Sequence, residues 1–486
     1  EANPRMCSAR GHIFNGLLEQ LKVGLRHKIG YERDKLVANY RKNRPSNEDI
    51  EAHYPKNETR ILGAAARTDA ALCDLVLNGF NPCVLKQSAP NKYYVEFLWN
   101  GVQQDKTHFA PNTTAYFTLK SGKLNLDAIS LQKRTPGSTT AHAVYREPWI
   151  QDKPKPNAPA KEKKEWERLK RIFRVNYFLF GEALTHLGET HLNAEQYVVP
   201  LRRNLHLSPI ARLLHPHLYG TVAVNLAANE ILIGEKGLVI STSAFVKESA
   251  EQAVRDGFAG YNWHDWRPRK PLGTGHRFAQ IGELYWQVLD SYLDAYFHQN
   301  LANIKKHWFE IRRFSDDLVN HALPYKDQQE SSFYDQGELN QASSPHPTVN
   351  GVPVALSPIT QSDKANPKDI ANLKQLCKYL LYFTTFKHTW VNDSQYFMGG
   401  EIEFATLGLS DDLTDLQVDE TTVVPPKEAL EHPFLTYVLN FTEYGYIIRN
   451  EDDDMNPLLR KTLADYRKQF TKLSYDVRGI RSTINT

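Results

Sequence analysis

The distribution of apolar residues predicts that long helices dominate this chain. From Trp166 to about Asn193 a proline-free helical pattern carries apolar residues around most of its circumference, which indicates burial inside a larger helical body. A stretch rich in Pro, Ser, Gln and Asn, residues 323–366, has the composition of a long loop. Further helices are predicted at 276–322, 368–396 and 456–472.

The N-terminal third adds a small β element to this helical pattern. Residues 1–90 are predicted to be helical, with a break in the pattern at Gly79 and Pro82. Residues 91–134 contain short runs in which apolar and polar residues alternate between Gly and Asn turns, as in strands. A Pro-rich connector over 146–160 then leads into the helical part. The expected fold class is mainly α, with a small β element near the N-terminus.

Composition narrows the class of protein. The 486 residues carry a formal net charge of +3, which gives no reason to expect a nucleic-acid partner. Four cysteines in so long a chain are not a disulfide framework, so reduced thiols are expected, with a Cys73–Cys83 bridge as the alternative. No run of about 18 apolar residues occurs, and the first residues lack a signal-peptide pattern. We expect a cytoplasmic protein, unless a targeting segment has been removed.

His186 and His191 lie five positions apart in the helix that starts near Trp166. In a regular α-helix residues at this interval diverge by about 140°, so the pair alone is typical of two unrelated core histidines. A zinc-protease motif is excluded, because it needs a spacing of four and a glutamate where this chain has Leu187. For both imidazoles to reach one ion, the helix must widen into a π-type turn, a distortion that concentrates at functional sites. The spacing therefore predicts such a turn if the pair binds a metal.

Two further features carry ligand-type groups. His388 and Asn392 are spaced to share one face of a regular helix. The C-terminus "DVRGIRSTINT" is partly apolar to its end, so a tail docked inside the protein could bring its carboxylate, that of Thr486, to a metal. Imidazole, amide and carboxylate ligands without thiolate suit iron or manganese in roughly octahedral geometry. With only one negative protein ligand, such an ion would strongly acidify a bound water.

These elements resemble the signature of the lipoxygenase family. The stretch from Trp166 to Gly237 is similar to the family's Trp-x-x-x-Lys, histidine-pair, Arg-x-Leu, Leu-Leu-x-Pro-His and Asn-x-x-Ala segments. Downstream, "KHTWVNDSQY" matches the family's His-x-x-x-Asn-x-x-Gln-Tyr, and "RGIRSTIN" resembles its C-terminal ending. The matching residues of the first stretch are Trp166, Lys170, His186, His191, Glu195, Arg203, Leu205, "LLHPH" at 213–217, Asn225 and Ala228.

The resemblance implies a ligand set and a reaction. Family enzymes abstract hydrogen from the methylene between two cis double bonds of a polyunsaturated fatty acid, by means of a metal(III)–hydroxide. Dioxygen then adds to the radical and gives a hydroperoxide. Iron is expected rather than manganese on family frequency alone. A hydroperoxide isomerase of the same fold and an inactive lipid-binding protein are the alternatives. The implied metal ligands are His186, His191, His388, Asn392 as a weak or variable ligand, and the carboxylate of Thr486.

The resemblance also places residues at the substrate pocket. Ala228 stands where alanine accompanies S products in related enzymes, so an S-configured hydroperoxide is expected. Leu232 matches a leucine that packs over the reacting pentadiene, and Leu187 and Glu182 are assigned to the same pocket. Gln395 is expected behind the metal ligands, linking them to the pocket.

Some positions depart from the family pattern. The chain ends in Thr486 where isoleucine is usual, and Gly181 with Glu182 replaces a frequent His-Gln pair. Asp393 and Ser394 replace an apolar residue and a glycine beside Asn392. We expect these changes to alter substrate selectivity rather than the ligand set.

The positions of the matching motifs also predict the domain organisation. We expect residues 1–486 to form a single lipoxygenase catalytic domain, without a separate N-terminal β-sandwich lipid-binding domain. Within it, 1–165 would supply N-terminal helices and the β element, and 166–486 the metal-binding helical core. The expected partners are a polyunsaturated fatty acid and dioxygen, and the expected state is a monomer. Any peripheral membrane contact would use exposed apolar patches of helices.

Overall fold

A computed structural model describes residues 67–99, 102–104, 108–132, 147–234, 237–259, 263, 266–318, 348–349, 352–353, 364–399, 407–409, 447 and 457–484. Helix α1 (Asp69–Asn78) precedes an antiparallel sheet whose five strands follow one another in chain order. These strands are β1 (Lys86–Ala89), β2 (Lys92–Phe97), β3 (Asn112–Lys120), β4 (Lys123–Gln132) and β5 (Trp149–Asp152).

Helices make up most of the remaining described residues, and three segments among them are π-helical. The first half comprises α2 (Ala160–Phe180), a π segment (Gly181–Leu192), α3 (Asn193–Asn204), α4 (Pro209–Leu214), a 3₁₀ turn (His215–His217), α5 (Thr221–Ala228), a second π segment (Asn229–Ile233), α6 (Leu238–Thr242) and α7 (Lys247–Ala259). The second half comprises α8 (Arg277–Lys306), α9 (Trp308–Asp317), the hairpin β6 (Thr348–Val349) and β7 (Val352–Pro353), α10 (Pro367–Leu381), a third π segment (Tyr382–Lys387), α11 (His388–Gly399), α12 (Pro457–Lys472) and a 3₁₀ turn (Val477–Gly479).

The mainly α fold with a small β element is confirmed, and three local predictions are wrong. Strand β1 lies in a stretch predicted to be helical, and β5 lies in the Pro-rich connector. Both are edge strands, and each forms because it pairs with a neighbouring strand; for example, Trp149 of β5 pairs with Leu131 of β4. The sequence of an edge strand does not by itself identify this pairing. The helix predicted over 276–322 is broken at His307, whose backbone leaves the helical region. Residues 1–66 and most of 323–366 lie outside the described residues.

Helix α2 lies at the centre of the packing between sheet and helices. All its residues from Leu169 to Phe180 are buried, as its unbroken apolar pattern predicts. The ring of Phe97 at the end of β2 packs between Phe173 and Phe180 of this helix, with centroids 5.3 Å from each. This burial anchors the end of α2, from which the next helical segment continues.

A buried carboxylate fixes the connection between α3 and α4. Glu310 of α9 accepts the backbone N–H groups of His206, Leu207 and Ser208 at 3.0, 3.0 and 2.9 Å. Burial by itself would raise the pKa of Glu310, but these three N–H donors together lower it below its ordinary value. The ionised side chain thereby replaces the hydrogen bonds that the backbone lacks at this turn.

Two sequence predictions about composition can also be compared with the described residues. Cys73, Cys83 and Cys377 are buried and none of them forms a disulfide, as expected for reduced thiols, whereas Cys7 lies outside the described part. Within that part, no helix has the length and apolar character needed to cross a bilayer.

Candidate metal centre

The helix that carries the first two histidines changes its geometry where they occur. At Gly181 the α-helical pattern of α2 gives way to a π-helix, which continues to Leu192. The wider turn brings the rings of His186 and His191 to a centroid separation of 4.9 Å. The predicted π-type turn between the two histidines is therefore confirmed. The Thr190 hydroxyl donates to the carbonyl of His186 within the segment, which satisfies an acceptor in the altered backbone pattern.

A glycine contact supports this π segment from outside. A Cβ atom on Gly188 would lie 2.8 Å from Cα of Gly257 and 2.9 Å from the carbonyl oxygen of Val254, both in α7. Only a residue without a side chain permits the two backbones to approach so closely. Helix α7 therefore lies directly against the segment that presents His186 and His191.

The third histidine follows another π segment. Residues 382–387 are π-helical, and His388 starts the regular helix α11 directly afterwards. Threonine side chains serve this backbone too, since the hydroxyls of Thr384 and Thr385 donate to the carbonyls of Leu380 and Leu381. The sequence "LLYFTTFKH" thus places two hydroxyl donors where the helix departs from α geometry.

The three histidines converge on one buried point. One ring nitrogen from each of His186, His191 and His388 lies within 4.8 Å of the other two, and all three residues are buried. The Nε2 atoms of His191 and His388 are 3.2 Å apart. His186 and His191 come from one π segment and His388 follows directly after another, so all three histidines lie in or beside distorted helical segments.

Asn225 of α5 fixes the tautomer of His191. Its Nδ2 group donates to the backbone carbonyl of His191 at 3.0 Å and to the carboxylate of Glu195 at 2.6 Å. Because both acceptors require the amide nitrogen, the amide oxygen must face the imidazole, and His191 Nδ1 donates to it at 3.0 Å. The proton is thereby held on Nδ1, and the lone pair of Nε2 points toward His388. A hydrogen bond of this kind behind a ligand is typical of metal-binding histidines.

The polar atoms around this point fit a metal ion. Both ring nitrogens of His186 are buried and have no hydrogen-bond partner among the described residues, and the same holds for both amide atoms of Asn392. An unsatisfied buried polar group costs roughly 1–3 kcal/mol, so such groups are rare unless a ligand satisfies them. Three imidazoles and an amide oxygen are donors that suit iron or manganese. The site also contains no thiolate among the described residues, which fits the predicted class of metal.

Of the predicted pocket and linking residues, Gln395 and Glu182 contact each other beside His186. Gln395 of α11 donates from Nε2 to the Glu182 carboxylate at 2.5 Å, and that carboxylate lies 3.8 Å from His186 Nδ1. Leu187 is buried, and Ala228 and Leu232 pack against the apolar cluster to which it belongs. Gln395 thus connects the helix of His388 to that of His186, while the lining of a substrate pocket by these residues stays a prediction.

The C-terminal segment is buried beside α11, as a docked tail requires. His217 donates from Nδ1 to the carbonyl of Ser482 at 2.6 Å, and the Thr389 hydroxyl accepts the backbone N–H of Arg481 at 2.9 Å. Burial lowers the pKa of His217 to about 4 despite that hydrogen bond, so this histidine is neutral. His217 therefore supports the C-terminal segment as a neutral hydrogen-bond donor. Thr486, the proposed carboxylate ligand, lies outside the described residues.

Some features of the centre were not foreseen from the sequence. Asn225 was matched to a family motif without a role, and the π segments at 229–233 and 382–387 were not predicted. A buried ion pair between Lys387 and Glu189 was also missed. A lysine inside the apolar run "LLYFTTFKHTW" was the available signal, but its partner is 198 residues away.

Comparison with known proteins gives consistent results. The lipoxygenase family profile matches residues 92–255. The linolenate 9R-lipoxygenase of Nostoc sp. is 24% identical over 425 residues, which are 85% of this chain and 47% of that protein. A manganese lipoxygenase of Pleurotus sapidus is 25% identical over 163 residues, 33% of this chain and 24% of that protein. The chain therefore spans half or less of the length of these curated relatives.

A solved structure extends the likeness over most of the chain. The crystal structure of a 9R-lipoxygenase from Cyanothece matches with a TM-score of 0.81 and 36% sequence identity, over 93% of this chain and 70% of that one. Likeness over 93% of the chain agrees with the positions of the lipoxygenase-like motifs, which extend from the paired histidines to the C-terminal segment. The chain belongs to the lipoxygenase family.

Proposed function

We propose that this chain is a non-heme metal dioxygenase that inserts O₂ into the 1,4-pentadiene unit of a polyunsaturated fatty acid. The observation that carries the proposal is the convergence of His186, His191 and His388, with ligand atoms within 4.8 Å of one another. Two relatives that are named 9R-lipoxygenases support the same reaction class. The proposed ligand set is completed by Asn392 and by the Thr486 carboxylate.

The residues of the chain would set the properties of the bound ion. A redox-active metal would supply the one-electron oxidation of the substrate C–H bond, together with a base for its proton, which redox-inert zinc could not do. Asn225 holds His191 in the tautomer that presents Nε2 to the ion. Phe80, whose ring centroid is 6.0 Å from that of His186, and Leu187 give the centre apolar neighbours. Such surroundings exclude water from a radical reaction.

The identity of the metal is the first finer point. Iron is proposed on family frequency, because the donors suit both metals. The likeness to the manganese lipoxygenase of Pleurotus sapidus makes manganese the competing outcome. Elemental analysis of the purified protein decides between them, and a protein without stoichiometric iron or manganese would contradict the proposed enzyme.

The configuration of the product is the second finer point. We propose the S configuration from Ala228, the last residue of α5, which packs against the apolar cluster that contains Leu187. Two of the relatives carry 9R in their names. The alanine at position 228 thus favours an S product, whereas these relatives favour an R product. Chiral chromatography of the hydroxy acid, obtained by reducing the hydroperoxide, tests the assignment. An R product would show that Ala228 does not by itself determine the configuration.

The reaction itself is tested by supplying linoleate and oxygen. We expect oxygen uptake together with a rise in conjugated-diene absorbance. If an added fatty-acid hydroperoxide is consumed while linoleate is not oxidised, the isomerase alternative is correct. If neither substrate reacts with the metal-replete protein, the inactive lipid-binding alternative is correct. The monomeric state and the cytoplasmic location stay predictions that these assays do not address.

A ligand substitution tests the metal site directly. His191→Ala should lose metal and oxygen uptake together, since it removes an imidazole that faces His388 at 3.2 Å. His276→Ala is the matched control, because His276 is equally buried and belongs to no ligand cluster among the described residues. A metal-replete, active His191→Ala protein would contradict the assignment.

A further inference from the structure

A buried ion pair joins the two segments that carry the histidines. Lys387 Nζ donates to Glu189 Oε2 at 3.0 Å, with side-chain exposures of 0% and 5%. Glu189 lies between His186 and His191 in the first π segment, and Lys387 ends the third π segment directly before His388. The pair therefore connects positions 198 residues apart in the chain, each within two residues of a proposed ligand.

Stability is a poor explanation for this pair. Removing an ammonium and a carboxylate from water costs several kcal/mol for each, and their attraction in the interior returns little more. Apolar replacements of similar volume are often neutral or stabilising at such sites. The Lys387 ammonium also lies 4.6 Å from the centroid of the Phe383 ring, a cation–π contact within the same π segment. Buried ion pairs can instead serve to specify one arrangement of the segments that they join.

The arrangement in question is the rotation of each histidine-bearing helix about its own axis, which sets the direction of its imidazoles. A π segment is a rare backbone geometry, so contacts from outside the segment can help to keep it and the imidazoles on it in place. The ion pair fixes Glu189 and Lys387 at one mutual distance. His191 and His388, two positions and one position further along, are thereby turned toward each other at 3.2 Å.

We propose that Lys387 and Glu189 are positioning residues for the metal centre. The pair holds the two π segments in the register at which the three imidazoles meet. Its loss should loosen the ligand cluster while the fold survives. This inference rests on the proposed metal site, because a register of ligands has meaning only if the ligands bind an ion.

The test uses Co²⁺ as the probe, because its d–d absorption reports the coordination geometry without any turnover. Metal-free full-length protein is titrated with Co²⁺ against a competing chelator, and thermal unfolding is followed in parallel. The double variant Glu189→Leu/Lys387→Met removes both charges and keeps most of the volume. We expect an unfolding temperature within a few degrees of wild type, a Co²⁺ affinity at least about 10-fold lower, and an altered d–d spectrum.

The matched control is a second ion pair of equal length outside the centre. Lys86 and Glu96 pair at 3.0 Å on the sheet, and Lys86→Met/Glu96→Leu should leave both Co²⁺ affinity and spectrum unchanged. If the Leu/Met variant does not fold, Glu189→Gln/Lys387→Gln removes the charges and keeps a hydrogen bond, and is judged by the same criteria.

The outcomes separate the two proposals. A folded variant with wild-type affinity and an unchanged spectrum would overturn the positioning role. A wild-type protein that binds no Co²⁺ would instead overturn the metal site on which that role depends. Reduced affinity in the control pair as well would show a general effect of charge removal, and would also count against the proposal.

Discussion

Replacing Asn225 by leucine should show whether this residue supports His191 as a proposed metal ligand, apart from its contribution to the stability of the fold. Asn225 makes three hydrogen bonds, to His191 Nδ1, to the His191 carbonyl and to Glu195. Leucine has a similar volume and no polar group, so it opens little cavity and removes all three. Glu195 is only partly buried and can turn to water, whereas both His191 groups are buried.

The expected magnitudes follow from these contacts. Loss of the hydrogen bond to the buried Nδ1 group of His191 costs roughly 1–3 kcal/mol of unfolding free energy. Once Asn225 no longer holds the proton on Nδ1, the imidazole must also choose its tautomer when a metal binds. Loss of such a partner behind a ligand lowers metal affinity by about 10- to 100-fold.

The control for this change is another buried asparagine. Asn176 of α2 donates to the Pro111 carbonyl at 2.6 Å and to the Thr113 hydroxyl at 2.8 Å, away from the histidines. Asn176→Leu should destabilise the protein by a comparable amount and leave metal affinity unchanged. Urea unfolding of metal-free protein and metal titration against a chelator give the two quantities. If Asn225→Leu is destabilised as much as the control yet binds metal like wild type, the proposed tautomer control is refuted.

Other predictions concern packing, pH and metal loading. Gly188→Ala places a Cβ 2.8 Å from Cα of Gly257, so α7 must shift by about 1 Å. Thermal unfolding should show a loss of roughly 1–3 kcal/mol in the free energy of unfolding. The control Gly275→Ala should show no such loss, because no atom lies within 4 Å of its added Cβ. The pKa of Glu310 is lowered in the fold, so its stabilising effect is full above its unfolded pKa and is lost as pH falls through the folded value. Glu310→Gln should therefore be about 1–2 kcal/mol less stable than wild type at pH 7, a gap that closes in acid and that a pH-independent difference would disprove. Chelation of the metal should lower the unfolding temperature, since free metal at 100-fold its Kd stabilises by about 2.7 kcal/mol; an unchanged melting curve would argue against binding to the folded state.

The features of the centre that could be predicted are those that depend on the spacing of residues within one helix. The interval between His186 and His191 can serve one ion only if the helix widens, and the structure has a π segment there. His388 and Asn392 needed only a regular helix, which α11 provides. Both predictions depend on the geometry of a single helix, which a short sequence determines.

The parts that could not be predicted depend on contacts between distant segments. Asn225 is 34 residues from His191, and Glu189 is 198 residues from Lys387. Nothing near either residue identifies its partner, because many polar residues could fill the same role in another packing. Strand β5 was missed for the same reason, since its pairing with β4 and not its Pro-rich neighbourhood makes it a strand.

The separation of the proposed ligands along the chain has a consequence for biosynthesis. His191 and His388, which face each other in the folded protein, are 197 residues apart in sequence. At about 5–20 residues per second, roughly 10–40 s pass between synthesis of the first and of the second. During that interval the nascent chain presents only the His186 and His191 pair, which cannot enclose an ion. If these histidines bind a metal, its insertion must follow closure of this long loop, and translation products that end before His388 should be recovered without metal.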